Sequence, residues 1–565
     1  MNQVTRRVIR RRSLLQIGVQ SGVLGLLLSG AIFAQNRANV SIDLSKAVNL
    51  LTDTSLGVPA PTFDGNSVNP AGAAYLRAAG VTAARFPGNH GVADLYHWST
   101  RTTTHYKAAE AGYFAPESNF GSFALFAEKL GQAVIVVNYG ANLDGNGGGE
   151  PAEAAAWVAY ANGDAADTRA LGKDSTGEDW HSVGFWAALR CAAPLVSDDG
   201  LNFLRIQHPR PFNFRMWQVG DQVYNNGYYG PEHAGNADLH AAAPSGPKDL
   251  AKLKGDARLS PSAYVENLKQ FARAMKSVDP SIQIGAAFPV PPDPDLRTRT
   301  VWVDGHEQAD PREWMAASWI LDWNKELLQG GCSNLDFVSF DWALQPLLPP
   351  DWKTLDEAGL LTNTRSAFSK ITTSMLADYS RYCPKDHLPK FAFSSAGISP
   401  WPKVERPVVK ALWVAEVYAT LIESGAVNIN WTEMYGDSML SADRKKFGPA
   451  YYGLQMLHIL AHNPGDLLLD ASSNVASQLS VHATHRRDGI IGLMLINKDP
   501  RNPAIVKVTL KNGTTGSTGK RFDYGSEQFT QGAALAQSPF TVSGNEFSVT
   551  VPPYTITDIL LPGHN

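Results

Sequence analysis

From Leu56 onward, short uncharged runs alternate with stretches whose apolar residues recur every three to four positions. Apolar runs of four to eight residues bounded by turn residues read as buried strands. The longer periodic stretches read as helices packed over them. The strand candidates are residues 56–63, 81–86, 133–138, 214–219, 282–287, 335–340, 391–394 and 427–431. Between them, Tyr264, Leu268, Phe271 and Met275 mark one face of a helix over 264–276, and Val408, Leu412, Ala415 and Ile422 one face of a second over 407–424. Eight strands with interleaved helices predict an α/β fold, a (β/α)8 TIM barrel.

Near Gly465 the period changes. Strict alternation takes over in 478–482, 490–497, 504–510 and 547–551, with Gly- and Ser-rich turns between, which predicts an accessory antiparallel β-sandwich. Residues 39–44 read as one more strand, joining that sandwich from the other end of the chain. The organisation is then an export signal over 1–34, a sandwich strand over 35–53, the barrel over 54–464 and the sandwich over 465–565. Two polar stretches, 163–179 and 232–258, break the rhythm and read as long loops after barrel strands three and four, where such loops shape a mouth.

The amino terminus changes the picture most. Arg6-Arg7 and Arg10-Arg11-Arg12 precede an uncharged stretch from Ser13 to Asn36, the charged and apolar regions of an export signal. Arg11-Arg12-Ser13-Leu14-Leu15 is similar to a twin-arginine signal, which predicts a periplasmic or secreted destination for a bacterial protein. Cleavage after Ala34 leaves no stable membrane insertion; retention as an anchor stays open, because the stretch is nearly long enough to span a bilayer. A net charge of −4 with 18% charged residues argues against a nucleic-acid or anionic-membrane partner. The three cysteines, Cys191, Cys332 and Cys383, are far apart and odd in number, and read as buried free thiols.

In a TIM barrel chemistry sits at the carboxyl ends of the strands. Those ends read Arg85-Phe86-Pro87-Gly88-Asn89, Asn138-Tyr139-Gly140, Trp217-Gln218-Val219-Gly220-Asp221-Gln222, Phe340-Asp341-Trp342, Ser394-Ser395-Ala396-Gly397 and Asn430-Trp431-Thr432-Glu433. Paired donors and acceptors for hydroxyls, with aromatic faces for sugar rings, are what a saccharide site needs. The binding candidates are Arg85, Asn89, Asn138, Tyr139, Gln222, Tyr228, Trp342, Ser395, Trp401 and Trp431. Arg85 also fits a bracing role beneath the site, and Trp217 fits the core. His90 and His97 near Asp94 have no metal-ligand spacing, and Asp144-Gly145-Asn146-Gly147 lacks the closing acid of a calcium loop. Neither a metal nor a cofactor is expected.

Three long segments carry a resemblance: residues 85–98 (RFPGNHGVADLYHW), 136–162 (VVNYGANLDGNGGGEPAEAAAWVAYAN) and 212–230. They resemble, in order, segments of α-L-arabinofuranosidase-like retaining glycoside hydrolases, a resemblance that covers nearly the whole mature chain. It implies a carbohydrate ligand, a general acid/base Glu ending strand four and a nucleophilic Glu ending strand seven. Here those positions hold Gln222, after Asp221, and Ser395, while the family's strand-six His is Asp341. Gln222 has no titratable proton, and Ser395 has no evident activating base nearby in sequence. The ordinary retaining mechanism needs both carboxyl groups. Three readings follow: a glycan-binding protein without turnover; an enzyme with relocated carboxylates drawn from Asp221, Asp341 and Glu433; or a structural protein of a polysaccharide system.

Overall fold

The computed structural model describes residues 36–563 apart from 89–91, 105–113, 231–237, 242–250, 291–299, 304–305, 310–317, 344–356, 398–403, 433, 437–438 and 442–445. Eight parallel strands close into a barrel: Leu56–Pro59, Ala83–Phe86, Gln132–Val137, Met216–Val219, Gln283–Phe288, Phe337–Ala343, Lys390–Gly397 and Ala426–Trp431. They are barrel strands one to eight, and each falls on an expected run. Strand one stops at Pro59 instead of residue 63, because Pro61 has no N–H for a ladder. Strand seven runs on to Gly397, pairing on both sides with its neighbours.

Around the barrel lie α1 (Pro70–Ala78), α2 (Phe120–Leu130), α3 (Pro151–Asn162), α4 (Val183–Cys191), α5 (Pro261–Val278), α6 (Ser318–Gly331), α7 (Glu357–Tyr382), α8 (Val409–Glu423) and α9 (Pro449–Leu460). Their starts are coded locally. Asn69, Asn119, Ser182 and Ser260 each accept a first-turn backbone N–H, and Pro70, Pro151, Pro261 and Pro449 open helices where a missing N–H costs nothing. Tyr264, Leu268, Phe271 and Met275 are all buried on α5, as the period predicted.

The stretch 163–179 corrects the sequence reading. It follows α3 and not strand three, so it starts at the end of the barrel away from the mouth. There Asn162 Nδ2 donates to Phe214 O (2.9 Å) ahead of strand four. Isolated bridges, Ala170 with Ser182 and Lys173 with Asp179, fold it back as an irregular hairpin. Of 232–258, only 238–241 and 251–258 are among the described residues.

The carboxyl-terminal strands form one nine-stranded, rolled sheet into which Asn36–Leu50 inserts, antiparallel to Leu467–Ser473 and parallel to Ala504–Lys511. Alternation is plain in Ala504–Lys511, where Ala504, Val506, Val508 and Leu510 point into the sheet's own core. The sheet covers α8, which explains why that helix is buried all round instead of along one face. Even Glu416 of α8 is fully buried. Its carboxylate accepts from Ser480 Oγ (2.8 Å) and faces Lys498 Nζ (3.3 Å) and His482 Nε2 (3.6 Å), all three from the sheet.

The cysteine expectation is overturned. Cys332 and Cys383 form a disulfide with Cα atoms 5.6 Å apart, tying the turn after α6 to the segment after α7. Their separation of 51 residues hid the pairing. Cys191 is the free thiol. Among the described residues, no helix is long and apolar enough to cross a membrane.

Candidate functional site at the barrel mouth

The end of strand four is built around a glycine and an acid. Gly220 sits at φ +70°, and a Cβ there would lie 2.3 Å from Val223 Cγ2. Glycine takes this conformation without steric penalty, and it turns the chain sharply out of the strand. The turn aims the N–H groups of Asp221 and Gln222 at one carboxylate, that of Asp94 (2.8 and 3.3 Å). Asp94 belongs to the short 3-10 turn Ala93–Leu95 and is buried. Burial first, and then the negative charge of Asp221, push its carboxyl up to about 8, against the two backbone N–H groups that favour the charged form. Burial and Asp221 thus favour the protonated form of Asp94.

Asp221 has its own cation. Arg85 Nη2 donates to Asp221 Oδ1, and both side chains are almost wholly buried. Gln218 Nε2 donates to Gly220 O (2.7 Å) and lies 3.5 Å from Asp221 Oδ1. This favours the bracing role for Arg85: a buried guanidinium requires a counter-ion, and Asp221 supplies it. Gln222, next along, is half-buried and begins the 3-10 turn Val223–Asn225.

Three more binding candidates are buried, and two of them, Tyr139 and Trp431, turn away from the mouth. Tyr139 is buried against His240, Tyr264 and Phe271, with ring centroids at 4.4, 4.9 and 6.1 Å. Asn138 is buried, and its Oδ1 accepts from Ala141 N (3.1 Å) to shape the loop after strand three. Trp431 packs on Trp413 and Tyr418 of α8 and offers no open ring face. For Tyr139 and Trp431 the physical reason is the strand's period of two, which sends alternate side chains out to the helices; Asn138, next to Tyr139, has the opposite parity and lies 3.4 Å from His97 Nδ1. Tyr228 is partly buried, edge-on to Tyr229 (4.9 Å) and packed against Ala241, Leu253 and Leu259.

Across the barrel, strands six to eight bring a second group together. Asp341 stands opposite Ser395 in the parallel register, just past an irregularity between Phe340 and Asp341. Ser395 Oγ donates to Thr432 Oγ1 (3.2 Å), and Ser394 Oγ donates to Phe340 O (3.2 Å). Gly397 makes room for Thr432, whose Oγ1 lies 1.9 Å from where a Cβ would stand. The side chains of Asp341 and Trp342, and all of Asn89, His90, Trp401 and Glu433, lie outside the described residues.

His97 is structural: its Nδ1 meets Glu153 (3.0 Å) and its Nε2 meets Thr104 Oγ1 (2.7 Å), all buried. Residues 142–147 close as a turn around the Asn142 side chain. Among the described residues, no cluster of ligating side chains fits a metal ion. Asp94 and Thr432 are the site residues that sequence reasoning passed over. The signal for Asp94 lay in the ADLYHW run, where it was weighed only as a neighbour of histidines.

The chain is similar in fold to solved glycoside hydrolases. An α-L-arabinofuranosidase from Thermotoga maritima, in complex with arabinose, superposes with a TM-score of 0.60 at 14% identity, covering 93% of this chain and 100% of that one. A family 51 arabinofuranosidase from Xanthomonas axonopodis pv. citri gives 0.61 at 16% identity, over 93% and 99%. A family 44 xyloglucanase from Paenibacillus polymyxa gives 0.55 at 14%, over 94% and 100%. No protein-family model and no curated protein matches the sequence. At these identities the shared property is the fold: a TIM barrel carrying a β-sandwich.

Proposed function

We propose that this chain is an exported protein that binds an oligosaccharide or polysaccharide on a glycosidase scaffold without retaining-type turnover. One observation carries the reading: at the end of strand four, the acid gained beside Gln222 is consumed by Arg85. Asp221 is therefore no substitute acid/base, and the amide of Gln222 supplies no proton. Asp94, whose carboxyl is raised to about 8 by burial and by Asp221, lies behind the backbone of Asp221 and Gln222 and accepts both their N–H groups. At strand seven the Ser395 hydroxyl donates, among the described residues, to another hydroxyl, that of Thr432. Arabinofuranosyl- and xylosyl-containing glycans are the first ligands to try, given the arabinose and xyloglucan complexes of proteins with this fold. The twin-arginine-like start supports export, and the Cys332–Cys383 bridge fits an oxidising destination.

A second reading keeps an enzyme, with Asp341 and Glu433 as relocated carboxylates. The register that sets Asp341 beside the vacant nucleophile position favours it. One experiment separates the two. Purified protein is incubated with arabinoxylan and xyloglucan, and both binding and released sugar are measured. Binding without release is expected. Release that survives Gln222→Ala and disappears in Asp341→Asn overturns the first reading in favour of the second.

A further inference from the structure

We propose that the seam between barrel and sandwich holds a small-molecule site separate from the mouth, a pocket that takes one neutral sugar unit. The ligand class is argued from this pocket alone and does not depend on what the mouth binds. The pocket spans about 190 Å3 between α7, α8 and two sandwich strands, Asn36–Leu50 and Leu467–Ser473. It lies at the end of the barrel opposite the mouth, because α8 stops at Glu423, just before strand eight begins at Ala426. Helical spacing builds two of its walls. Arg365 and Ser369 stand four apart on α7, and Thr420, Glu423 and Ser424 fall within about one turn at the end of α8, so each set shares a face. Val48, Leu469 and Asp470 of the sandwich close the third side.

Donors and acceptors converge there with capacity to spare. A guanidinium carries about five N–H donors. Among the described residues, Arg365 meets Val481 O (3.4 Å) and Glu423 Oε2 (3.5 Å), both long contacts. Glu423 gives Oε1 to His482 (2.7 Å), and Asp470 gives Oδ2 to Lys46 (2.7 Å). Glu423 Oε2 and Asp470 Oδ1 keep room for further donors, and the exposed Ser369 hydroxyl can donate or accept. Each carboxylate already has a cation beside it, so the pocket asks for hydrogen bonds and not for a counter-charge. Val48, left 43% exposed, and Leu469 supply an apolar wall for the C–H face of a ring. At ~30 Å3 per water the volume is that of about six waters, the scale of one sugar ring with its hydroxyls. Convergent polar groups beside an apolar wall, at a junction between domains, are the make-up of a small-ligand site.

The test is ligand-observed NMR of the full chain with D-xylose and L-arabinose, beside acetate and ethylammonium as charged probes. Ser369→Leu from the helical wall and Asp470→Leu from the sheet wall are each expected to weaken sugar binding at least tenfold, whereas Ser369→Thr, which keeps the hydroxyl, retains it. Both positions reach solvent, so the variants are expected to melt with the wild type and to bind arabinoxylan or xyloglucan as it does. Sugar binding undiminished in either leucine variant belongs to the mouth and overturns the seam site. Binding of neither sugar by the wild type, or a preference for acetate or ethylammonium, overturns it as well. If the leucine variants lose the sugars in a chain that binds no arabinoxylan or xyloglucan, the seam site stands and the mouth reading falls instead.

Discussion

Two buried carboxylates, Asp94 at the barrel mouth and Glu416 between barrel and sandwich, respond to burial in opposite ways. Asp94 is raised to about 8, because desolvation is joined by the charge of Asp221 and the nearby Arg85 is already engaged. Glu416 suffers the same desolvation, yet it is held well below the usual carboxylate range by Lys498 and His482. His482 mirrors it: burial alone would lower the imidazole, but Glu423 and Glu416 outweigh that and raise it. Burial sets the scale of the effect, and the sign of the nearest unspent charge sets its direction. The interface cluster sets cations beside its carboxylate, whereas the mouth cluster holds one ion pair beside an acid whose carboxyl is raised.

The comparison breaks most visibly if a cation is removed from either cluster. Arg85→Met strands Asp221 and is expected to cost about 3–5 kcal/mol in denaturant unfolding, and Lys498→Met less, because His482 still faces Glu416. Adding Asp221→Asn to Arg85→Met should recover more than half of the loss. No recovery would mean that Arg85 acts through packing instead of charge.

The two clusters also predict different pH dependence. The folded Asp94 carboxyl lies above its ordinary value of 3.8, so its contribution is complete below that pH and fades as pH rises through about 8. The slope is at most about 1.4 kcal/mol per pH unit. Asp94→Asn should flatten that part of the stability curve. Glu416 has the opposite sign: its contribution is complete above its ordinary 4.5 and is lost on acidification through its lowered value, a loss that Glu416→Gln removes.

Smaller effects sharpen the mouth itself. Gly220→Ala, at φ +70°, should cost about 1–2 kcal/mol from backbone strain alone. Thr432→Val should cost about 1 kcal/mol by removing the acceptor of Ser395. If Thr432→Val instead abolishes glycan binding at unchanged stability, the Ser395–Thr432 pair belongs to the ligand and not to the frame.

The barrel was legible because its strands are buried on both faces, so runs such as 133–138 and 427–431 stand out against amphipathic α5. Strand ends were less so: Pro61 cut strand one short, while strand seven gained pairing beyond residue 394. The hairpin over 163–179 was misplaced because the apolar, nearly faceless α3 before it was not read as the helix that carries the chain to the far end of the barrel. Tyr139 and Trp431 were named as ligands by proximity to strand ends, where the parity of the strand sends them outward.

What the sequence by itself determined is the architecture: eight apolar runs and a change of period near Gly465. These are local, since hydrophobic periodicity and residue identity need no partner to be read. Only the tertiary structure decided what Asp221 does, because Arg85 is 136 residues away. It alone decided that the Asp94 carboxyl is raised, that of Glu416 lowered, and that Cys332 meets Cys383 across 51 residues. Charge and covalent pairing act through space at a few ångströms, and the chain folds those ångströms out of distances the sequence does not record.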